Sequence, residues 1–147
     1  MIVPVTTENI RDCIPVFLKS YNQPPWNYNW TFEKAEQYLS EYLGCKQFIG
    51  FILYDQNQPA GAIFAHRKTW WTNKQLMIDE FFISPEKQRM GYGKKLLGFC
   101  EQYAIEKQIE SIILMTNKYM PSYNFYDNIG YMTTEQFIFM FKPMLRK

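Results

Sequence analysis

The chain carries three cysteines and one histidine in 147 residues, and each scarcity removes a class of chemistry. Cys13, Cys45 and Cys100 are odd in number, widely spaced and without a CxxC pair, which fits reduced thiols rather than disulfides, zinc ligation or dithiol redox work. His66 has no serine or cysteine suitably placed in the sequence, which argues against a hydrolytic triad. No run approaches the ~18 apolar residues of a membrane span, and "MIVPVTTENI" lacks the basic segment and apolar core of a signal peptide. A cytoplasmic chain without membrane contact is expected. A surplus of one charge sign is missing as well: 16 basic residues face 14 acidic ones, so charge gives no case for a nucleic-acid partner. Repeats and low-complexity tracts are absent, which removes solenoid and disordered architectures.

What is present is apolar and aromatic. The apolar fraction is 47 % and the aromatic fraction 18 %, enough for one compact domain over residues 1–147. Ile2 to Val5 reads as a short strand, and Thr7 as the cap of a helix with Ile10, Cys13, Ile14, Phe17, Leu18 and Tyr21 on one face. Pro15 either kinks that helix or lies in its first turn, with the regular part starting near Asp12. After the turn-rich "NQPPWNYNW", Thr31 caps a second helix with Phe32, Ala35, Tyr38, Leu39, Tyr42 and Leu43 on one face, closed by Gly44. The period then shifts: "KQFIGFILY", "PAGAIFAHRKTWW" and Leu76 to Ile83 read as an antiparallel meander. A helix with Leu96, Leu97, Cys100, Tyr103 and Ala104 inward follows. "ESIILMT" reads as a strand buried on both faces beside a parallel neighbour. A short helix around Ser122 to Asp127 and a last strand, Gln136 to Lys142, complete the order. The expectation is a mixed α/β fold, its central sheet flanked by helices on both faces.

Gly91 and Gly93 sit at a helix entrance, where glycine disfavours the helix but exposes the backbone. A nucleotide P-loop needs four residues between its glycines and then Gly-Lys-Ser/Thr, which this stretch does not offer. A dinucleotide fingerprint needs a third glycine where Leu96 stands. Two readings stay open on spacing alone: tight strand-to-helix packing, and a helix N-terminus whose amides hold a pyrophosphate.

Together the strand Ile78 to Ile83, Pro85, Gln88, Gly91 and Gly93 resemble motif A of the GNAT superfamily of acyl-CoA-dependent N-acyltransferases, whose pattern is Gln/Arg-x-x-Gly-x-Gly/Ala. Downstream, "SYNFYDNIGY" resembles the family's A-x-x-F-Y-x-x-x-G-F/Y at Phe125, Tyr126, Gly130 and Tyr131, with Ser122 in place of the alanine. The resemblance implies a GNAT-like fold and acetyl-CoA as cosubstrate, with no metal. It implies that backbone groups of Phe81, Phe82 and Ile83 pair with the pantetheine arm as an added strand would. It further implies that Gln88, Arg89, Met90, Gly91, Tyr92, Gly93 and Lys94 surround the pyrophosphate, with charge from Arg89, Lys94 and Lys95. The asparagine often found three residues before the motif alanine is Tyr119 here, which leaves Asn117 as the candidate for that cofactor contact. Tyr126 is implied as the acid that protonates the departing thiolate.

An alkyl amine titrates near ~10.4 and must lose a proton to attack, so a base is needed. Asp79 and Glu80 lie at the centre of "MIDEFFI", and alternation along a strand sends them to opposite faces. Glu80 is the expected base and Asp79 the second candidate. Trp26, Asn27, Tyr28 and Trp30 lie in the connection that borders the acceptor pocket in the family, where aromatic walls suit a cationic amine; Trp30 also reads as a cover for the core edge. That segment is similar to GNAT members grouped with aminoglycoside acetyltransferases, and a small amine, a polyamine, a peptide N-terminus and a lysine all remain open as acceptors. Trp70 and Trp71 offer surface for the acceptor pocket or for a homodimer. The leading expectation is an N-acetyltransferase acting by direct attack on a primary amine, and the alternative is a CoA-binding regulatory module without efficient catalysis.

Overall fold

A computed structural model describes residues 1–145, and the chain divides into two compact units, Met1–Met115 and Thr116–Lys147. The first unit holds five strands and three helices: β1 (Ile2–Pro4), α1 (Cys13–Tyr21), α2 (Phe32–Leu43), β2 (Phe48–Asp55), β3 (Gln58–Thr69), β4 (Lys74–Ile83), α3 (Tyr92–Glu106) and β5 (Ser111–Leu114). The second holds α4 (Pro121–Asn128). The strands lie in the order β1-β2-β3-β4-β5. The first four are antiparallel neighbours, and β5 runs parallel to β4. The fold is α/β with a mixed sheet, as the element pattern implies.

Local chemistry explains the boundaries. Thr6 and Asn9 close a reciprocal pair, with the Thr6 amide donating to Asn9 Oδ1 at 2.7 Å and the Asn9 amide to Thr6 Oγ1 at 3.3 Å. A single 3-10 turn, Ile10–Asp12, precedes α1. The expected cap at Thr7 therefore gives way to its neighbour, and Pro15 falls in the first turn of α1, where it has no helical hydrogen bond to lose. Thr31 caps α2 as expected, accepting from the Lys34 amide at 3.1 Å, and Gly44 ends it. The β2–β3 turn puts Gln56 and Asn57 at φ +49 and +65, the backbone twist that suits a two-residue hairpin.

Each face of the sheet has its own core. On one face, Phe17, Ile14 and Cys13 of α1 and Ala35 and Leu39 of α2 pack on Ile52, Ala62, Phe64 and Phe82. Phe17 is completely buried and touches the rings of Tyr21, Trp30, Tyr38 and Phe82 at centroid distances of 4.8–5.9 Å; truncating it to alanine would cost about 3–5 kcal/mol. On the other face α3 buries Leu96, Leu97, Cys100 and Ala104, and Phe51 of β2 meets Phe99 and Tyr103 edge-on. Burial pushes the Cys13 and Cys100 thiols up to about 12, which makes them packing groups rather than nucleophiles.

Two expectations need correction. β5 is half-buried at all four residues rather than covered on both faces, because it is the last strand in the order and, among the described residues, carries its ladder on one side alone. Gln136 to Lys142 forms no strand. Phe137, Ile138, Phe139, Met140 and Phe141 all lie exposed there. The run has high β propensity, but propensity records packing against a neighbouring strand, and no described strand pairs with this segment.

Candidate active site

The most consequential irregularity lies in β4. Phe64 of β3 pairs with Glu80, but the next β3 residue, Ala65, pairs with Ile78. Asp79 is thus an extra residue with no cross-strand partner, a β-bulge. Glu80 turns onto the α1/α2 face, where its carboxylate accepts a short hydrogen bond from the Tyr38 hydroxyl and another from the Tyr21 hydroxyl at 3.2 Å. Asp79 Oδ2 lies 2.6 Å from Nδ1 of His66. His66 stands opposite Phe48, whose ring packs on the same α1/α2 core. The two carboxylates therefore share a face, which corrects the expectation that alternation separates them: the bulge resets the alternation between them.

Burial raises the Glu80 pKa above its ordinary 4.5, and the charge of Asp79 adds to that push, while the two tyrosine hydroxyls draw it back. Burial and the hydrogen bond to Glu80 hold the Tyr38 hydroxyl protonated far above neutrality. Tyr38 and Tyr42 hydroxyl oxygens are 2.9 Å apart. Since the single Tyr38 proton goes to Glu80, Tyr42 must be the donor to Tyr38, giving a hydroxyl relay that ends on the carboxylate. Tyr21 and Tyr38 appeared in the sequence as apolar-face helix positions. The signal for their role is that a phenol packed into a core needs a polar partner, and the centre of β4 supplies acids between apolar residues.

Beyond this point β4 parts from β5. The parallel pairing ends at Ile78↔Leu114, while β4 continues to Ile83. The Ser84 amide reaches Ala60 O on the β3 side at 2.8 Å. Alternation then directs the backbone groups of Phe81 and Ile83 to the opposite edge. Part of that edge is spoken for: Ile83 O accepts from Ser20 Oγ at 3.1 Å and Gln88 Nε2 at 2.9 Å, and Phe81 O accepts from the Tyr21 hydroxyl at 3.4 Å. Gln88 thus ties the following loop to the strand end through its side chain.

That loop enters α3 through two left-handed residues, Arg89 at φ +62 and Gly91 at φ +84. Gly91 is the N-cap and leaves the first-turn amides without a side-chain cap. A Cβ at Gly91 would meet nothing within 4 Å, so packing does not demand a glycine here, whereas the left-handed backbone does. Asp55 accepts from Lys87 Nζ at 2.6 Å, which pins the loop to the β2–β3 hairpin. Met90 and Lys94 are exposed and Gly93 half-buried.

The aromatic connection forms a second wall beside Tyr21. Tyr28 stacks on Tyr21 at 6.2 Å with the rings 16° apart, and Trp26 meets Tyr21 at 5.7 Å. Asn22 clamps the segment, donating to Trp30 O at 2.9 Å and accepting from the Trp30 amide at 2.8 Å. Asn27 takes φ +54. Trp30 packs on the core cluster, in keeping with its role as an edge cover. Tyr28, Asn29, Trp30 and Lys34 line an open depression.

Tyr126 and Asn117 belong to the second unit. Tyr126 is half-buried on α4, with its ring edge-on to Phe125 at 5.4 Å and Tyr131 at 5.6 Å. Gly130 takes φ +99 just past the helix, which accounts for a glycine at that motif position. Asn117 Oδ1 accepts the Tyr119 amide at 2.9 Å, and Ser122 Oγ, at the alanine position, is 2.8 Å from Thr116 Oγ1. Among the described residues no helix is long and apolar enough to cross a membrane.

Solved structures share this architecture. The aminoglycoside antibiotic 6'-N-acetyltransferase AAC(6')-IG from Acinetobacter haemolyticus superposes with TM-score 0.77 at 15% identity, over 98% of this chain and 99% of that one. A probable acetyltransferase gives 0.80 at 17% identity over 100% and 99%. The aminoglycoside acetyltransferase meta-AAC0020 from an uncultured soil metagenomic sample, solved with sisomicin, gives 0.74 at 18% identity over 99% and 96%. No curated protein matches at the sequence level. The sequence pattern of the acetyltransferase (GNAT) family, in contrast, matches residues 15–131, from α1 through the bulged strand, the glycine turn and α4 to Tyr131, and the chain belongs to that family.

Proposed function

We propose that this chain transfers an acetyl group from acetyl-CoA to a primary amine by direct attack, with Glu80 as the base and Tyr126 as the acid. The observation that carries the reading is Glu80: a half-buried carboxylate, raised in pKa and held by two phenols, on the strand that parts from β5 beyond Ile78. A base raised toward neutrality both accepts a proton readily and is regenerated readily. The fit to acetyl-CoA rests on the uncapped amides of α3, the empty space around Gly91 and the stretch of β4 beyond Ile78 that β5 does not pair. These suit an extended arm ending in a pyrophosphate.

The cosubstrate supplies an activated acetyl group on sulfur. The amine nitrogen forms the new bond to the carbonyl carbon as the carbon–sulfur bond breaks. Glu80 takes the amine proton, directly or through water, and Tyr126 gives a proton to the thiolate. Asp79, held by His66, adds negative charge that favours a cationic acceptor. Trp26, Asn27, Tyr28 and Trp30 are assigned to the acceptor side. Two of the structural relatives are named for aminoglycosides, so polyamine antibiotics head the panel of acceptors, followed by small amines and lysine peptides. Thiol release from acetyl-CoA against that panel tests the reading. Release with any amine supports it. A CoA-dependent rise in melting temperature with no release for any amine would leave the binding-module alternative in its place.

A further inference from the structure

The opposite end of the sheet carries a feature that acetyl transfer does not use. Arg67, Lys68, Lys74 and Lys107 converge on one groove of about 460 Å3, with Gln75 and Ile109 also in its lining. Gln75 stands eight residues from Ile83 along β4, about 26 Å at strand spacing, so the groove is remote from the glycine turn. No acidic residue lines it, and none of the four cations makes an ion pair among the described residues. We propose that this groove is a second binding site, for a small polyanion of the phosphate type.

Like charges gathered without counter-ions repel one another, and an anion seated among them relieves that repulsion. Lys107 has a structural role of its own, since it lies at the C-terminal end of α3 where a cation complements the helix dipole. Arg67, Lys68 and Lys74 have no such role. Their backbones are fixed: the Arg67 amide donates to Gln47 O at 3.1 Å, and Lys74 O accepts the Glu110 amide at 2.9 Å. Among the described residues the carboxylate tied to these cations is Glu110, which accepts from the Lys74 amide at 3.4 Å. The volume falls within the range of pockets that hold nucleotide-sized ligands. Trp70 and Trp71, 50% and 85% exposed, follow Thr69 of the groove lining directly in the chain and offer stacking surface at the adjoining hairpin. A second copy docked about a two-fold axis would set this cluster against itself, which favours a small anion over self-association on this face.

The test is isothermal titration of the full chain with inorganic triphosphate and, separately, with adenosine triphosphate, in saturating CoA so that the α3 amides are occupied. Both should bind, and the Arg67→Gln/Lys74→Gln variant should bind roughly a hundredfold more weakly, as two charge-assisted hydrogen bonds of about tenfold each are lost. The CoA-induced melting shift of that variant should match the wild type, which shows that it is folded. Equal affinity for the two probes means that phosphates alone are read, while a preference for the nucleotide that disappears in Trp70→Ala means that the base stacks; both support the site. Absence of binding, displacement by CoA, or full binding by the variant would overturn it. A ten-nucleotide single strand binding far more tightly than either probe would also overturn it and make the face a nucleic-acid surface.

Discussion

His66 Nδ1 lies 2.6 Å from Asp79 Oδ2, and the contact exists because β4 has one residue more than β3 between the Phe64 and Ala65 pairings. Without the bulge, Asp79 would point to the α3 face and Glu80 would stand alone among the tyrosines. With it, one carboxylate is engaged by an imidazole and the neighbouring one by two phenols. The division of labour proposed above follows from those different partners.

Glu80→Gln keeps shape and removes basicity. Turnover at neutral pH is expected to fall by roughly 10² to 10⁴, and the acidic limb of the rate profile should vanish. Asp79→Asn should be milder, because its partner is His66 rather than the acceptor. Steady-state rates for both variants from pH 5 to 9 decide it; a more damaging Asp79→Asn would transfer the role of base to Asp79.

Tyr38→Phe removes a hydrogen bond that draws the Glu80 pKa down. The acidic limb of the wild-type rate profile should therefore move to higher pH in this variant. The lost bond should also lower stability by about 1 kcal/mol, since the half-buried carboxylate loses one of its two phenol donors. A limb displaced to lower pH, or an unchanged one, would break the link between the phenol and the carboxylate.

Glu80 also makes stability depend on pH. Its folded pKa is raised above the unfolded value, so the folded state holds more protons and stability falls as pH rises from about 4.5 through the folded pKa. Glu80→Gln removes that slope. The melting temperature of the variant relative to wild type should thus climb across this window and level off above it. A difference that falls with pH would mean that the phenols outweigh burial.

Gly91 separates backbone strain from ligand space. Gly91→Val places a branched residue at φ +84, costing roughly 1–2 kcal/mol or more, and fills the empty space by the α3 amides. Gly91→Asn tolerates the left-handed backbone and should fold nearly as well, yet it still puts a side chain where the pyrophosphate is proposed to lie. Loss of the CoA-induced melting shift in both variants is the expected result. Retention of the full shift in Gly91→Asn would mean that the glycine serves the turn alone.

Asn22→Ala removes both hydrogen bonds that hold Trp30 against α1. The aromatic segment that includes Trp26 and Tyr28 should loosen. The expected signature is a higher KM for the amine with kcat and the CoA melting shift near wild type; an unchanged KM would take this segment out of the acceptor pocket.

Local and periodic features were legible in the sequence because they depend on neighbours a few residues away. Thr31 and Gly44 bound α2, Pro15 could occupy a first turn, and the alternating runs paired as a meander because hairpins join adjacent segments. Gly91, Gly93, Phe125, Tyr126 and Gly130 fell at family spacing, and two of the three glycines occupy left-handed backbone that side chains resist. Tertiary structure decided what depends on partners distant in the chain. The register that leaves Asp79 unpaired is set between β3 and β4, and it inverted the alternation argument at the one place where that argument chose a base. Tyr21 and Tyr38 reached Glu80 from helices 59 and 42 residues away, beyond any local pattern. The apolar run Phe137 to Phe141 had the composition of a strand, but a strand is completed by a neighbour's backbone, which composition does not supply.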